Sequence, residues 1–338
     1  MKQMRESTYL NLMRIMKMAI LVTGGAGFIG SNLTKELLDE GEEIVCLDDF
    51  NDYYSPSFKR SNVKPFEGNK NYRLYSGDVR DKGIVDKIFQ ENRISTVIHL
   101  AARAGVRASL KDPVLYTDVN LGGTTQLLEK SVRGKVENFV FASTSSAYGD
   151  TKIIPFREDD DTGTPLSPYA ASKKAAEIMC KFYSLNYSLP ITCLRFFTVY
   201  GPNGRPDMAI YKFTEAIYKG REIEVYGDTG SSRDYTYVAD TVSGVKAAVR
   251  KKSSFELINL GNNHPINLSE IISIIEKELG KTAKMKNIGK QEGDVFATCA
   301  DISKAQRLLG YNPKVRIDEG IKLFVEWYLS ARAVISQL

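Results

Sequence analysis

The sequence predicts an α/β protein built on a doubly wound parallel sheet, with a smaller C-terminal substrate-binding lobe. Three observations predict it. Short apolar runs of strand length alternate with amphipathic segments of about 10–15 residues. A glycine-rich turn from Thr23 to Gly30 joins the first apolar run to the first amphipathic segment. The chain has 338 residues, 43% hydrophobic and 26% charged. That is an ordinary globular composition with room for roughly two domains.

The elements follow in order. Residues 18–22 are an apolar run that reads as a buried parallel strand feeding the tight turn. Residues 31–40 have helical spacing, with Leu33, Leu37 and Leu38 on one face and Gly41 as the stop. A second strand covers 43–47 and ends at Asp48 and Asp49, and a third covers 72–75. Residues 82–92 form an amphipathic helix, 96–100 a fourth strand, 120–132 a helix and 138–142 a fifth strand. A long helix over 169–187 precedes a strand at 191–196. After residue 197 the rhythm changes to Gly- and Pro-rich loops, with helices expected at 269–279, 303–309 and 315–331. A strand at 257–260 is expected to return to the main sheet. The expected organisation is therefore a disordered extension over 1–17 and a cofactor domain over 18–196, with a return around 235–262. The substrate lobe then comprises 197–234 and 263–338.

Composition excludes several classes. No apolar stretch is long enough for a bilayer. A net charge of +5 from 46 basic and 41 acidic residues is too mild to indicate nucleic acid. The four cysteines, Cys46, Cys180, Cys193 and Cys299, have no CxxC spacing, and His99 and His264 are the only histidines. No metal site and no disulfides are expected, and a reducing cytoplasm is the expected setting. Residues 1–17 have basic residues but no apolar core of about 7–15 residues, so they do not read as a secretory signal.

The turn reads Thr23-Gly24-Gly25-Ala26-Gly27-Phe28-Ile29-Gly30, with Gly24, Gly27 and Gly30 spaced as GxxGxxG. Glycines there let backbone approach a pyrophosphate, and the following helix N-terminus offers N–H groups and partial positive charge. A tight turn with nothing bound has the same composition. Asp48 follows the second strand, 24 residues after Gly24. A carboxylate there accepts from an adenosine ribose 2′-hydroxyl and repels a 2′-phosphate, which favours NAD over NADP.

Tyr169 and Lys173 stand four apart at the start of the long helix, behind Pro168. A phenol near pKa 10 is a poor base at pH 7. An ammonium about 4 Å away contributes about 4 kcal/mol, or roughly three pKa units before screening. The pair can then accept a hydroxyl proton while hydride leaves for NAD. An interfacial tyrosine beside a surface lysine is the plainer reading. Thr144, Ser145 and Ser146 close the fifth strand, where a doubly wound fold exposes groups to its ligand crevice. A hydroxyl there, Thr144 as a catalytic candidate, can bridge a substrate hydroxyl and Tyr169, and ordinary strand-end capping is the plainer reading.

These residues resemble the extended short-chain dehydrogenase/reductase superfamily, a Rossmann-type fold, from Met18 to about residue 330. Within it the likeness is to UDP-glucuronate 4-epimerases. It rests on Asp48-Asp49-Phe50-Asn51-Asp52-Tyr53-Tyr54, on Ala101-Ala102-Arg103-Ala104-Gly105-Val106-Arg107, on 195–208 and on 291–295. General UDP-glucose 4-epimerases usually carry Asn at the Thr198 position and Arg at the Gln291 position.

The resemblance implies that NAD is held by Phe28, Ile29, Asp48, Asp78, Val79, Leu100, Ala101, Ala102, Thr117, Tyr169, Lys173 and Phe197. It implies that the UDP-sugar meets Arg107, Val225, Tyr226, Arg233, Gln291 and Asp294. Arg103 stands where the glucuronate family has glutamine. In the implied mechanism Tyr169 takes the O4 proton and hydride moves from C4 to NAD. The 4-keto sugar turns over, and hydride returns to its other face. A 4-keto uronate is a β-keto acid prone to losing CO₂. Donors from Thr144, Ser145, Ser146 and Thr198, with the Arg205 guanidinium, are expected to hold its carboxylate. Related decarboxylases place glutamate at the Ser146 position, and dehydratases an Asp-Glu pair at 145–146, so both reactions are disfavoured.

Two alternatives stand beside this reading. One is a 4-epimerase of UDP-glucose or UDP-N-acetylglucosamine, since Thr298 leaves room for a 2-substituent. The other is a non-catalytic NAD-binding sensor. The helices at 120–132 and 169–187 pair into a dimer contact in this superfamily. The second carries surplus apolar residues, Ile178, Met179, Phe182 and Leu185, so a homodimer is expected.

Overall fold

A computed structural model describes residues 17–160, 162–225, 231–289 and 297–335. Its centre is a seven-stranded sheet in the order β10-β6-β5-β4-β1-β2-β3, parallel throughout. The strands are β1 (Ala19–Thr23), β2 (Glu43–Asp48), β3 (Tyr72–Ser76), β4 (Ile94–His99), β5 (Asn138–Thr144), β6 (Ile191–Phe196) and β10 (Phe255–Leu260). Every residue of β1, β5 and β6 is buried, as the near-continuous apolar runs of a doubly covered sheet require.

Strand alternation sends successive side chains to opposite faces. Ile20 and Val22 join one core with Leu33 and Leu37 of α1 (Phe28–Asp39) and Val242 and Val245 of α9 (Val238–Arg250). Ala19 and Leu21 join the other. There they meet Val85 and Ile88 of α3 (Lys82–Glu91), Leu127 and Leu128 of α6 (Thr124–Arg133), and Ala176 and Cys180 of α7 (Pro168–Tyr187). All four cysteines are buried and unpaired. Burial pushes the thiol of Cys46 up to about 12 and that of Cys299 up to about 11.

Outside the large sheet, β7 (Thr198–Tyr200), β9 (Ser232–Tyr237) and β11 (Pro265–Asn267) form a three-stranded sheet. β8 (Glu222–Val225) pairs with β12 (Lys284–Asn287). Helices α8 (Ala209–Tyr218), α10 (Leu268–Leu279), α11 (Ser303–Leu309) and α12 (Ile317–Ile335) complete this part.

Two departures from the expected elements shape the site. The helix expected over 120–132 opens with a π-helical turn, Asp118–Gly123, before α6 begins. Gly123 leaves no room for a side chain, because a Cβ there would lie 2.6 Å from Val79 Cγ2. The second departure is α2 (Pro56–Val63), unforeseen because it is short and polar, yet it buries Phe58, Lys59, Asn62 and Val63.

Candidate active site

β1 lies between β4 and β2. In such sheets the ligand crevice opens at the C-terminal strand ends where strand order reverses. A cleft opens there, lined by the loops after β1, β2, β3 and β4, the end of β5 and the start of α7. The loop after β1 holds Gly24 in the left-handed region at φ +71°, with its Cβ position 2.7 Å from the amide of Ala101. A Cβ on Gly30 would lie 2.2 Å from the carbonyl oxygen of Gly24. Only glycine permits that approach of helix to turn. Gly24, Gly27, Phe28, Ile29 and Gly30 all line the cleft.

Asp48 is 6% exposed at the end of β2. Its Oδ2 accepts from the amide of Ala26 at 3.0 Å and its Oδ1 from the amide of Phe50 at 2.9 Å. Burial pushes this carboxyl up, against the Phe50 amide and the charge of Lys59. Each oxygen keeps a lone-pair site for a further donor. Asp78, Val79, Leu100, Ala101 and Ala102 line the same cleft.

Beneath the turn lies His99, fully buried at the end of β4. Thr124 donates its hydroxyl to the carbonyl of Asn120 at 2.6 Å. Thr124 therefore accepts from His99 Nε2 at 2.9 Å, and His99 Nδ1 accepts from the hydroxyl of Thr23 at 2.7 Å. Burial, and then the charge of Lys173, pull this imidazole down to about 3. It is a neutral structural link between the turn and the π-turn, not a proton carrier at neutral pH.

α7 supplies the reactive pair. Its start is fixed by Pro168 in the first turn and by the hydroxyl of Ser167, which accepts from the amide of Ala170 at 3.1 Å. Lys173 is 2% exposed, donates to the carbonyl of Ala142 at 2.7 Å and lies 4.6 Å from the ring centre of Phe141. Burial pulls its ammonium down to about 8. Burial pushes the Tyr169 phenol up, while a hydrogen bond with the Thr144 side chain and the charge of Arg205 pull it down. Lys173 donates to the β5 backbone one turn along the helix, while Thr144 and Arg205 reach the phenol from other parts of the chain.

Arg205 lines the cleft. It makes a two-pronged pair with Asp207, Nε to Oδ1 at 2.9 Å and Nη2 to Oδ2 at 2.7 Å. It also lies 5.6 Å from the ring centre of Tyr53, whose hydroxyl donates to Asp207 at 3.2 Å. Arg205 is therefore held in place at the cleft wall by Asp207. Thr144 is buried and accepts from the amide of Ser146 at 3.1 Å, where Ser145 and Ser146 open a 3-10 turn.

Other expected site residues lie elsewhere. Phe197 is buried against Phe156, and its neighbour Phe196 lines the cleft. Thr117 is exposed, its hydroxyl donating to the carbonyl of Pro113 at 3.0 Å. Arg107 is exposed on α4 (Val106–Lys111). Thr198 lines a smaller aromatic pocket with Tyr211, Tyr235 and Phe324, and Phe28 lines both spaces. Val225 is buried in β8, and Arg233 in β9 donates to the carbonyl of Ser232 at 3.0 Å. Tyr226, Gln291 and Asp294 lie outside the described residues.

Sequence reasoning gave no role to Lys59. Buried at the cleft wall, it donates to the carbonyl of Asn51 at 2.7 Å and lies 4.8 Å from the ring centre of Tyr54. The signal was present in the aromatic and polar run after Asp48. Among the described residues no cluster of His, Cys, Asp or Glu could hold a metal ion, and no helix is long and apolar enough to cross a membrane.

Comparison with known proteins agrees with this geometry. A family profile described as GDP-mannose 4,6 dehydratase matches residues 21–324. The UDP-glucuronate 4-epimerase of Thermodesulfobacterium geofontis (strain OPF15) is 44% identical over 308 residues, covering 91% of this chain and 95% of that protein. The crystal structure of UDP-glucuronic acid 4-epimerase from Bacillus cereus, in complex with UDP-glucuronic acid and NAD, is similar with TM-score 0.88. Its identity is 36%, over 93% of this chain and 99% of that one. The UDP-glucose 4-epimerase of Thermotoga maritima, solved with UDP-glucose, has TM-score 0.86 and 33% identity over 93% and 100%. By the length of these matches and the identity of these relatives, the chain belongs to the extended short-chain dehydrogenase/reductase family of nucleotide-sugar epimerases and dehydratases.

Proposed function

We propose that the protein is an NAD-dependent epimerase that inverts C4 of UDP-glucuronate to give UDP-galacturonate. The observation that carries this reading is the grouping of side chains around Tyr169 at the cleft. There one phenol, Tyr169, is flanked by the hydroxyl of Thr144 and the guanidinium of Arg205. The names of the relatives support the same substrate.

The residues present fit the dinucleotide. A Cβ at Gly24 or Gly30 would fill the cradle, and Asp48, at the end of β2 in the cleft wall, suits the hydroxyls of a ribose. The hydroxyl of Tyr54 is buried in the cleft wall without a partner. When bound, NAD supplies the redox chemistry, taking a hydride from C4 and returning it. Tyr169 holds the proton of the O4 hydroxyl and gives it back. Lys173, fixed on Ala142, sets the charge beneath that exchange. Thr144 aligns the phenol with O4.

Arg205 is the group proposed to meet the C6 carboxylate. Asp207 occupies its Nε and Nη2, which leaves the Nη1 edge free to donate. That edge can hold the carboxylate away from the alignment that releases CO₂ from a β-keto acid. Arg205→Ala is expected to raise KM for UDP-glucuronate at least tenfold while changing KM for UDP-glucose less than about threefold. Steady-state assays of both sugars check this, and equal effects would detach Arg205 from the carboxylate. The likeness to the Thermotoga maritima enzyme keeps a second reading in view, a 4-epimerase of neutral UDP-hexoses. Faster turnover of UDP-glucose than of UDP-glucuronate would select it.

A homodimer is part of the proposal. α7 exposes Ile178, Phe182 and Leu185 at 63%, 46% and 69%, an apolar band that a second copy would cover. Sedimentation at micromolar concentration is expected to give twice the 37.8 kDa chain mass, and Leu185→Glu is expected to give the single chain. The four unpaired buried thiols suit a reducing cytoplasm.

A further inference from the structure

We propose that Arg103 and Asp49 form a latch across the mouth of the dinucleotide cleft, which closes over the bound cofactor and holds it between turnovers. The inference rests on the reading that NAD is the resident cofactor and goes beyond it, to how the cofactor is kept.

Topology places the two residues on opposite banks. β1 lies between β2 and β4, and the glycine cradle follows β1. Asp49 follows β2, Arg103 follows β4, and both line the cleft with Gly24 and Gly27. Their side chains meet across it, with Arg103 Nη2 3.6 Å from Asp49 Oδ2. That separation is an ion pair short of a hydrogen bond.

Both partners are aimed before any ligand arrives. Asn51 holds Asp49 by the other oxygen, with its amide at 3.1 Å and its side-chain nitrogen at 2.5 Å from Oδ1. Asn120, in the π-turn, clamps the backbone of Arg103 on both sides. Arg103 N donates to Asn120 Oδ1 at 2.8 Å, and Asn120 Nδ2 donates to Arg103 O at 3.0 Å. Nε of Arg103 is buried without a partner, so its guanidinium has unused donor capacity. Lys59 and Asp78 are the other charges that face it.

The chemistry gives such a latch a purpose. An epimerase returns its cofactor to the starting oxidation state in each cycle, so no step requires release. Slow dissociation then carries no penalty in turnover. A bare Asp49 carboxylate in the same cleft would repel the pyrophosphate, and pairing with Arg103 removes that repulsion while bridging the banks.

The test measures release of NAD, not activity. Protein loaded with NAD is diluted into NAD-free buffer, and the nucleotide retained after rapid gel filtration is extracted and quantified over time. Arg103→Gln and Asp49→Asn are each expected to speed release roughly tenfold or more, because dissociation responds to loss of one partner of a charge pair. The double variant should be no faster than either single one. Raising salt from about 0.05 to 0.5 M should speed release from the unaltered protein and leave the variants unmoved. The proposal is overturned if Arg103→Gln speeds release and Asp49→Asn does not, since Arg103 would then touch the cofactor directly. It is also overturned if the two effects multiply, or if neither variant nor salt changes the rate. An unaltered protein that carries no NAD and takes none up would instead overturn the cofactor reading, and the latch with it.

Discussion

Tyr169→Phe is expected to lower kcat by about 10²–10⁴-fold, the range for losing a positioned general acid–base group. NAD content after purification should stay close to that of the unaltered protein, because the cradle, Asp48 and Lys173 are untouched. The substitution removes one oxygen from the half-buried first turn of α7 and leaves the ring against Tyr116, 6.3 Å away between centres. Packing is therefore preserved and the loss reads chemistry. The pH dependence carries the same signature. Burial raises the phenol above its ordinary value, so the fraction able to accept a proton grows as pH rises toward the phenol's pKa. The rate of the unaltered enzyme should climb on that limb, and the residual rate of Tyr169→Phe should lack it. Retention of full activity would remove Tyr169 from its role.

The second large effect is on stability. Glu177, one turn after Lys173 and two after Tyr169 on α7, pairs with Arg195 of β6 through bonds of 2.9 and 2.8 Å. Both side chains are almost wholly buried, and Ser143 also donates to Glu177. Arg195 lies 4.3 Å from the ring centre of Tyr148, and its Nη1 already has no partner. Glu177→Ala strips the counter-charge from a guanidinium that cannot lose its proton, at an expected cost of about 3–5 kcal/mol. Urea unfolding should show the midpoint falling with little change in slope. Replacing both residues by methionine should recover most of the loss, because two apolar groups leave no buried charge unpaired. A double variant as unstable as Glu177→Ala would mean that the lost hydrogen bonds, not the stranded charge, set the cost.

Much of the frame was legible in the residues. β1, β5 and β6 are apolar along their whole length, and the spacing of Leu33, Leu37 and Leu38 marked the first helix. Asp48, Tyr169 and Lys173 stand out in the sequence because each sits at a strand end or helix start, and the structure brings all three to one cleft. The rest depended on contacts between distant segments. A π-turn differs from an α-helix only in which amide meets which carbonyl, and 118–123 has no compositional mark beyond two glycines. Phe196 ends β6 and lines the cleft while Phe197 follows it in the core, and nothing in the pair of letters selects one. The sequence brings only Lys173 next to Tyr169, whereas Thr144 at the end of β5 and Arg205 in a distant loop reach it through the fold. Lys59 was overlooked because α2 is polar along the chain and buried only by what packs on it.

The sheltered sulfurs have a practical consequence. Cys46, Cys180 and Cys193 have no measurable surface and Cys299 very little, and the thiolate, not the thiol, is the form that reacts. An alkylating reagent can therefore reach them only when the chain opens. Each molecule carries an internal clock for its own unfolding, one that records how often the folded state lapses without any added dye or engineered probe.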